Sequence, residues 1–245
     1  KDAIIVTAPN SGAEAIPFIK MWVILPMAIV ITFVFTRLSN RFDREKVFYI
    51  MMGIFLSYFI IFTFVLFPNS DLLHPHETAD YLSSHLPLGF KGFISIFRNW
   101  TFTSFYVMSE LWSSAILTVL FWGFVNAIFN VKEAKRFYGI LCIGANIASI
   151  LAGNITQLFC NPSLNWNESI VLINLTIVVL GLLTMVIFRW LNKYVLKNEA
   201  SIHYKLDSSK KKEKRSLRES FRYLGKSKYL ICIAILVVSY NLSLN

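Results

Sequence analysis

Six apolar runs, most of them about as long as a bilayer is thick, constrain this chain more than any other feature. They extend over residues 16–36, 47–67, 93–129, 137–160, 170–188 and 229–245. A hydrocarbon core about 30 Å thick takes about 20 residues of helix. Within it, only helices and closed barrels satisfy their own backbone hydrogen bonds. Runs of this length are helical, so the sequence predicts an all-α polytopic membrane protein with five complete spans and a sixth cut short. Composition agrees, with 56% hydrophobic residues, 16% charged residues and 22 Phe and a mean hydropathy of +0.56. Such a chain is neither an ordinary soluble domain nor a disordered one. Three Cys are too few for a disulfide scaffold. A chain that starts at Lys1 without an initiator Met and stops inside an apolar run is expected to be truncated at both ends. Residues 1–15 do not have the order of a signal peptide.

The net charge of +10 raises the question of nucleic acid, but the basic residues flank spans instead of forming a soluble patch. Segments 37–46, 130–136 and 189–228 hold 4, 3 and 13 of the 24 Lys and Arg. Segment 68–92 has only Lys91, and 161–169 has none. Basic loops stay in the cytoplasm, so alternate loops are predicted to be cytoplasmic and the first complete span to run from outside to inside. This divides the chain into a bundle over 1–192, a basic cytoplasmic linker over 193–228 and the start of a second bundle over 229–245. The linker cluster Lys210, Lys211, Lys212, Lys214, Arg215, Arg218 and Arg222 is read as attraction to anionic lipid. The run 93–129 has no turn residue before Gly123 and reads as one long helix.

Ionisable residues inside a span are costly and usually face a cavity. Lys20 lies about 6 Å inside its span, where cavity lining and snorkelling to the interface are both open. Arg98, near the outer end of its own run, carries the same two readings. Glu110 is about 25 Å along its run, and its short side chain reaches neither surface. Asn99, Thr103, Tyr106, Glu110, Ser113 and Ser114 fall within about a third of the helix circumference. Interhelical hydrogen bonding would explain the hydroxyls and the amide, whereas a carboxyl among them favours a lined cavity, in which proton coupling is conceivable. In the run 137–160, Gly144, Ala148 and Ala152 and the adjacent row Ala145, Ser149 and Gly153 predict close helix packing. Asn146 on that run either lines the cavity or bonds a neighbouring helix.

No catalytic constellation is present. There is no phosphate-binding P-loop, no C-x-x-C pair among Cys142, Cys160 and Cys232, and no nucleophile with an adjacent His base. His74, His76, Asp80 and His85 match no standard metal spacing and are read as an exposed polar loop, so neither metal nor cofactor is expected. Physics alone reaches a transporter half with a charged internal cavity.

Four blocks carry a resemblance across essentially the whole chain. They are KDAIIVTAPNSGAEAIPFIK (1–20), LSNRFDREKVFY (38–49), FRNWTFTSFYVMSELWSSAILTVLFWGF (97–124) and EAKRFYGILCIGANIA (133–148). In these the chain resembles the ATP/ADP translocases of obligate intracellular bacteria and plastids. That family is similar in fold to the major facilitator superfamily, which implies twelve spans in two halves, with this chain covering spans two to six and the start of span seven. Arg37–Lys46 looks like a degenerate form of the superfamily's basic loop. The resemblance implies exchange of ATP for ADP by alternating access, or proton-coupled nucleoside triphosphate import, by a monomer in a bacterial inner membrane or plastid inner envelope. It implies no enzymatic chemistry and no nucleic-acid partner. A Lys and a Glu important for transport in the family match Lys20 and Glu110. Lys20, Lys1 and Arg98 would attract phosphates and Glu110 would orient a cation or couple protonation, with Asn99, Tyr106 and Asn146 as further substrate contacts. Ser113 stands where members commonly have Gly, and Ala127 where an acid or amide is common, departures that bear on substrate choice. A receptor or scaffold without transport is the reading from another class.

Overall fold

The computed structural model describes residues 1–128, 131–160 and 164–196, and among these every regular element is helical. Helix α1 (Asp2–Thr7) is followed by α2 (Ala15–Arg41) and α3 (Arg44–Leu66). Two short helices, α4 (Ser70–Leu73) and α5 (His76–His85), lead into α6 (Lys91–Arg98) and α7 (Trp100–Asn126). The last two are α8 (Val131–Phe159) and α9 (Trp166–Lys193). Five of these, α2, α3, α7, α8 (over Phe137–Phe159) and α9, are long and apolar enough to cross a membrane. The basic segment expected as a loop at 130–136 is helical from Val131. The linker from 197 onward and the expected span at 229–245 lie outside the described residues.

Local sequence sets where these helices start and how they deform. Asn165 and Glu168 form a reciprocal capping box on α9, the Glu168 carboxylate accepting from the Asn165 N–H at 3.1 Å. In α2, Pro26 has no N–H to donate to the carbonyl of Trp22, four residues back. The helix absorbs this as a π turn over Lys20–Ile24. A second π segment, Ser113–Phe121, interrupts α7.

The run 93–129 is not one helix. It breaks at Asn99, whose backbone leaves the helical region at φ −106°, ψ 45°. The physical reason is local competition for hydrogen bonds. The Asn99 amide donates to the carbonyl of Pro9 at 3.1 Å and to that of Ser95 at 3.4 Å. Ser95 donates to Ser11 at 2.7 Å. The break therefore ties α6 to the Pro9–Gly12 turn between α1 and α2, where Asn10 takes a left-handed conformation at φ 52°. Glu110 is consequently 10 residues into its helix, about 15 Å from the start, still too deep for a carboxyl to reach the nearer surface.

Packing is centred on α3 and α7. Phe55, Phe59, Phe62 and Phe105 are buried, with Phe62 and Phe105 stacked at 4.3 Å and Trp112 edge-on to Phe55 and Phe59 at 5.7 Å each. The Tyr58 hydroxyl and Ser104 share a hydrogen bond of 2.6 Å across the same interface. Helix α1 lies against α7, and α9 against α3, meeting α7 as well where Phe124 packs on Phe188 at 4.9 Å. There Phe48 stacks on Phe188 at 4.0 Å.

The small-residue rows of α8 do not act as expected. A Cβ added at Gly144 or Gly153 meets nothing within 4 Å, and the helix is exposed along almost its whole described length. Small residues permit close approach but do not compel it, and among the described residues no helix faces these rows. Close approach occurs instead at Gly181 of α9, where a Cβ would sit 2.5 Å from Leu56. Gly181→Val is expected to push α9 off α3 and destabilise the fold by about 1–3 kcal/mol. Thermal unfolding of the purified full-length protein measures this, and an unchanged midpoint would contradict the packing.

Candidate functional site

The polar stripe of α7 meets α1. Lys1, at the start of α1, donates to the Glu110 carboxylate, an ion pair between residues 109 apart in sequence. The same ammonium lies over the Tyr106 ring, 5.4 Å from its centroid. Tyr106 is buried at 1% exposure, and the Asp2 carboxylate lies beside its hydroxyl. The paired side chains themselves are part-open, 35% exposed for Lys1 and 29% for Glu110. This is a charged niche with a closed aromatic floor and an open mouth. A pair so placed can re-form with another ligand, because each ion keeps access to solvent. Sequence reasoning placed Glu110 out of reach of either surface and named no counter-ion for it. The 109-residue separation leaves no local signal of its partner.

Lys20 occupies the first position of the π turn in α2, half-buried where that turn packs on α7. The π turns at Lys20 and Ser113 thus begin at one expected site residue and three residues after another. Ser113 is exposed and donates back to the Glu110 carbonyl at 2.9 Å, and Ser114 is also exposed.

Arg98 and Asn99 are placed elsewhere. Arg98 ends α6, before the span, and donates to Asp80 on α5 while only 4% exposed. Its reading as a residue within the span is corrected by the helix break, and its charge already has a counter-ion at the end of the bundle. Asn99, 1% exposed, holds the α1–α2 turn as described, and its side-chain oxygen has no hydrogen-bond partner. Asn146 is exposed on α8, donating to its own helix at the Cys142 carbonyl, 3.0 Å away.

The histidine segment is helical over His76–His85 and not a loop, and although Asp80 and His85 are exposed as expected, its first histidine is not. His74 is buried at 6% exposure, hydrogen-bonded through Nε2 to Thr101 at 2.6 Å and edge-on to Phe102 at 4.9 Å. The Trp100 indole donates to the Leu73 carbonyl at 2.9 Å. Residues 70–85 therefore form a cap seated on the start of α7. Among the described residues no group of three His, Cys, Asp or Glu side chains is arranged to hold a metal. Sequence reasoning also missed Asn174, buried at 1% exposure in α9 with both side-chain polar atoms unpartnered.

Burial lowers the His74 pKa from 6.5, with the His76 charge adding to the effect and Asp71 opposing it. The seated His74 is neutral, so between its lowered value and 6.5 the open cap binds a proton that the closed cap does not. Cap stability is complete above about pH 6.5 and falls as pH drops below it. Hydrogen exchange over residues 70–80, corrected for intrinsic rates, should be faster at about pH 5.5 than at 7.5. Equal protection at both would contradict this, and His74→Gln should abolish the difference.

Compared with known proteins, the whole chain, residues 1–245, matches the profile of the TLC ATP/ADP transporter family. It is 40% identical over its full length to a Chlamydia muridarum protein named ADP,ATP carrier protein 1, covering 48% of that protein. It is 40% identical to the Arabidopsis thaliana ADP,ATP carrier protein 1, chloroplastic, covering 40% of it. To the Rickettsia bellii ADP,ATP carrier protein 3 it is 37% identical, covering 52%. The chain spans about half the length of the curated relatives it matches. No solved structure matches it.

Proposed function

Since this chain belongs to the TLC ATP/ADP transporter family, we propose that it forms one wall of a nucleotide pathway in a protein that exchanges ATP for ADP across a membrane by alternating access. The observation that carries the reading is the Lys1–Glu110 pair over the Tyr106 ring. A polyphosphate entering the niche competes with the Glu110 carboxylate for the Lys1 ammonium. Charge-assisted hydrogen bonds to phosphate are strong, and the part-open geometry lets the exchange of anions occur without burying a bare charge. Lys20, on the π turn against the same helix, supplies a second cation for the phosphate chain. The two cations balance part of the substrate's negative charge.

Glu110 then determines the coupling. Once Lys1 has turned to phosphate, the Glu110 carboxylate is left without its cation. A coupling ion taking that place is the second reading, in which nucleoside triphosphate enters with a proton. The other wall of the pathway would come from the half of the relatives' length that this chain does not span. The family resemblance favours a bacterial inner membrane or plastid inner envelope, with the basic segments 37–46 and 189–228 on the cytoplasmic or stromal face.

Labelled-ATP uptake by the full-length protein in proteoliposomes tests both readings. Vesicles preloaded with ADP should take up ATP, and empty vesicles should not. Lys20→Gln should reduce uptake by about 10- to 100-fold, the worth of one charge-assisted phosphate contact of about 1.5–3 kcal/mol. Uptake into empty vesicles under an inward proton gradient, lost in Glu110→Gln, would overturn exchange in favour of symport. Failure to transport under either condition would refute both.

A further inference from the structure

A cleft of about 340 Å³ lies between α3 and α9, lined by Tyr49, Leu182, Met185, Val186 and Arg189. It is remote from the polar niche, because α7 meets α9 where Phe124 packs on Phe188 at 4.9 Å, 14 residues or about 21 Å along that helix from Glu110. Helix α9 turns Asn174, Val178 and Gly181 inward and leaves Leu182, Leu183, Val186 and Ile187 exposed. The cleft therefore opens on the outer flank of the bundle, where an exposed aliphatic surface belongs against lipid.

Its polar end lies at the level of a membrane interface. Tyr49 is five residues into α3, about 8 Å from its start at Arg44, and Arg189 is in the last turns of α9, next to an exposed Trp190. Trp at this level marks the membrane–water boundary. The Tyr49 hydroxyl is buried and has no hydrogen-bond partner. A buried polar group without a partner is costly enough that it usually marks a missing ligand or water. Arg189 is exposed and forms no ion pair among the described residues. One unpartnered phenol donor and one guanidinium at the head of an aliphatic groove are complementary to a phosphodiester carrying acyl chains. Glu45, one turn before Tyr49 and close enough to act on it electrostatically, disfavours a second negative charge and favours an ammonium there.

We propose that this cleft is a binding site for a membrane glycerophospholipid, its phosphodiester held between the Tyr49 hydroxyl and the Arg189 guanidinium and an acyl chain lying along Leu182, Met185 and Val186. Tyr49 donates its O–H to one phosphate oxygen, and Arg189 accommodates a second through its planar fork. The aliphatic wall excludes a free polyanion, which would gain nothing from the groove. The site rests on placement of the chain in a membrane and is independent of what the protein transports.

Native mass spectrometry of the delipidated full-length protein, titrated with phosphatidylethanolamine or phosphatidylglycerol, tests the assignment. One lipid should bind the wild type tightly, and the apparent dissociation constant should rise about 5- to 20-fold in Tyr49→Phe and in Arg189→Gln. Arg189→Lys should recover part of the loss, and about 10 mM inorganic phosphate should not displace the lipid. Preference for phosphatidylethanolamine would support the role of Glu45 as well. Without lipid, Tyr49→Phe should unfold at the same temperature as wild type or higher, since it removes an unpartnered hydroxyl and keeps the ring. Equal lipid affinity in all variants, or displacement by phosphate alone, would overturn the proposal. So would a lower unfolding temperature for delipidated Tyr49→Phe, which would mean that a segment of the chain itself already fills the cleft.

Discussion

A carboxylate about 15 Å into a membrane-spanning helix must be neutralised, and much of the functional half of this bundle is arranged around that requirement. Glu110 finds its counter-charge on Lys1, which belongs to a short helix lying against α7. The contact draws α1 onto the polar stripe, sets Lys1 over the Tyr106 ring, and leaves the pair open enough to be approached from outside. Replacing such a pair by apolar residues is often neutral for stability. Its presence is therefore better accounted for by the proposed exchange of a ligand with one of the partners than by any gain in folding.

The position of α1 depends in turn on the helix break at Asn99. Had the run 93–129 continued as one helix, the Asn99 side chain would be aimed elsewhere than at the carbonyl of Pro9, and the turn feeding α2 would lose its anchor. The same break releases α6 to carry Arg98 to Asp80 and leaves the cap over residues 70–85 seated on Thr101 through His74. On the opposite flank, Gly181 lets α9 close on Leu56 of α3. The niche is thus supported on one side by a polar cap and on the other by aromatic and aliphatic packing.

The spans were legible because length and apolarity act locally: each of the five described apolar runs corresponds to a helix long enough to cross a bilayer. The polar stripe of α7 was legible for a similar reason, since Tyr106 and Glu110 repeat at helical spacing. What could not be read depends on which helix lies opposite. Glu110 has a partner 109 residues away, and the small residues of α8 find no facing helix among the described residues. Asn99 looked like one more polar group on a continuous stripe, because nothing in its neighbours betrays that its amide reaches Pro9. Arg98 and His74 were misread together, since their shared cap exists only once α5 and α6 fold back on α7.

The central proposal is that nucleotide phosphate takes the Lys1 ammonium from Glu110. Calorimetric titration of ADP into the full-length protein, repeated in Lys1→Gln and in Glu110→Gln, tests it most directly. The account predicts ADP binding weaker by about 10- to 100-fold in Lys1→Gln, and no weaker than wild type in Glu110→Gln, where the competing carboxylate is gone. Equal affinity in wild type and Lys1→Gln, or weaker binding in Glu110→Gln, would contradict it.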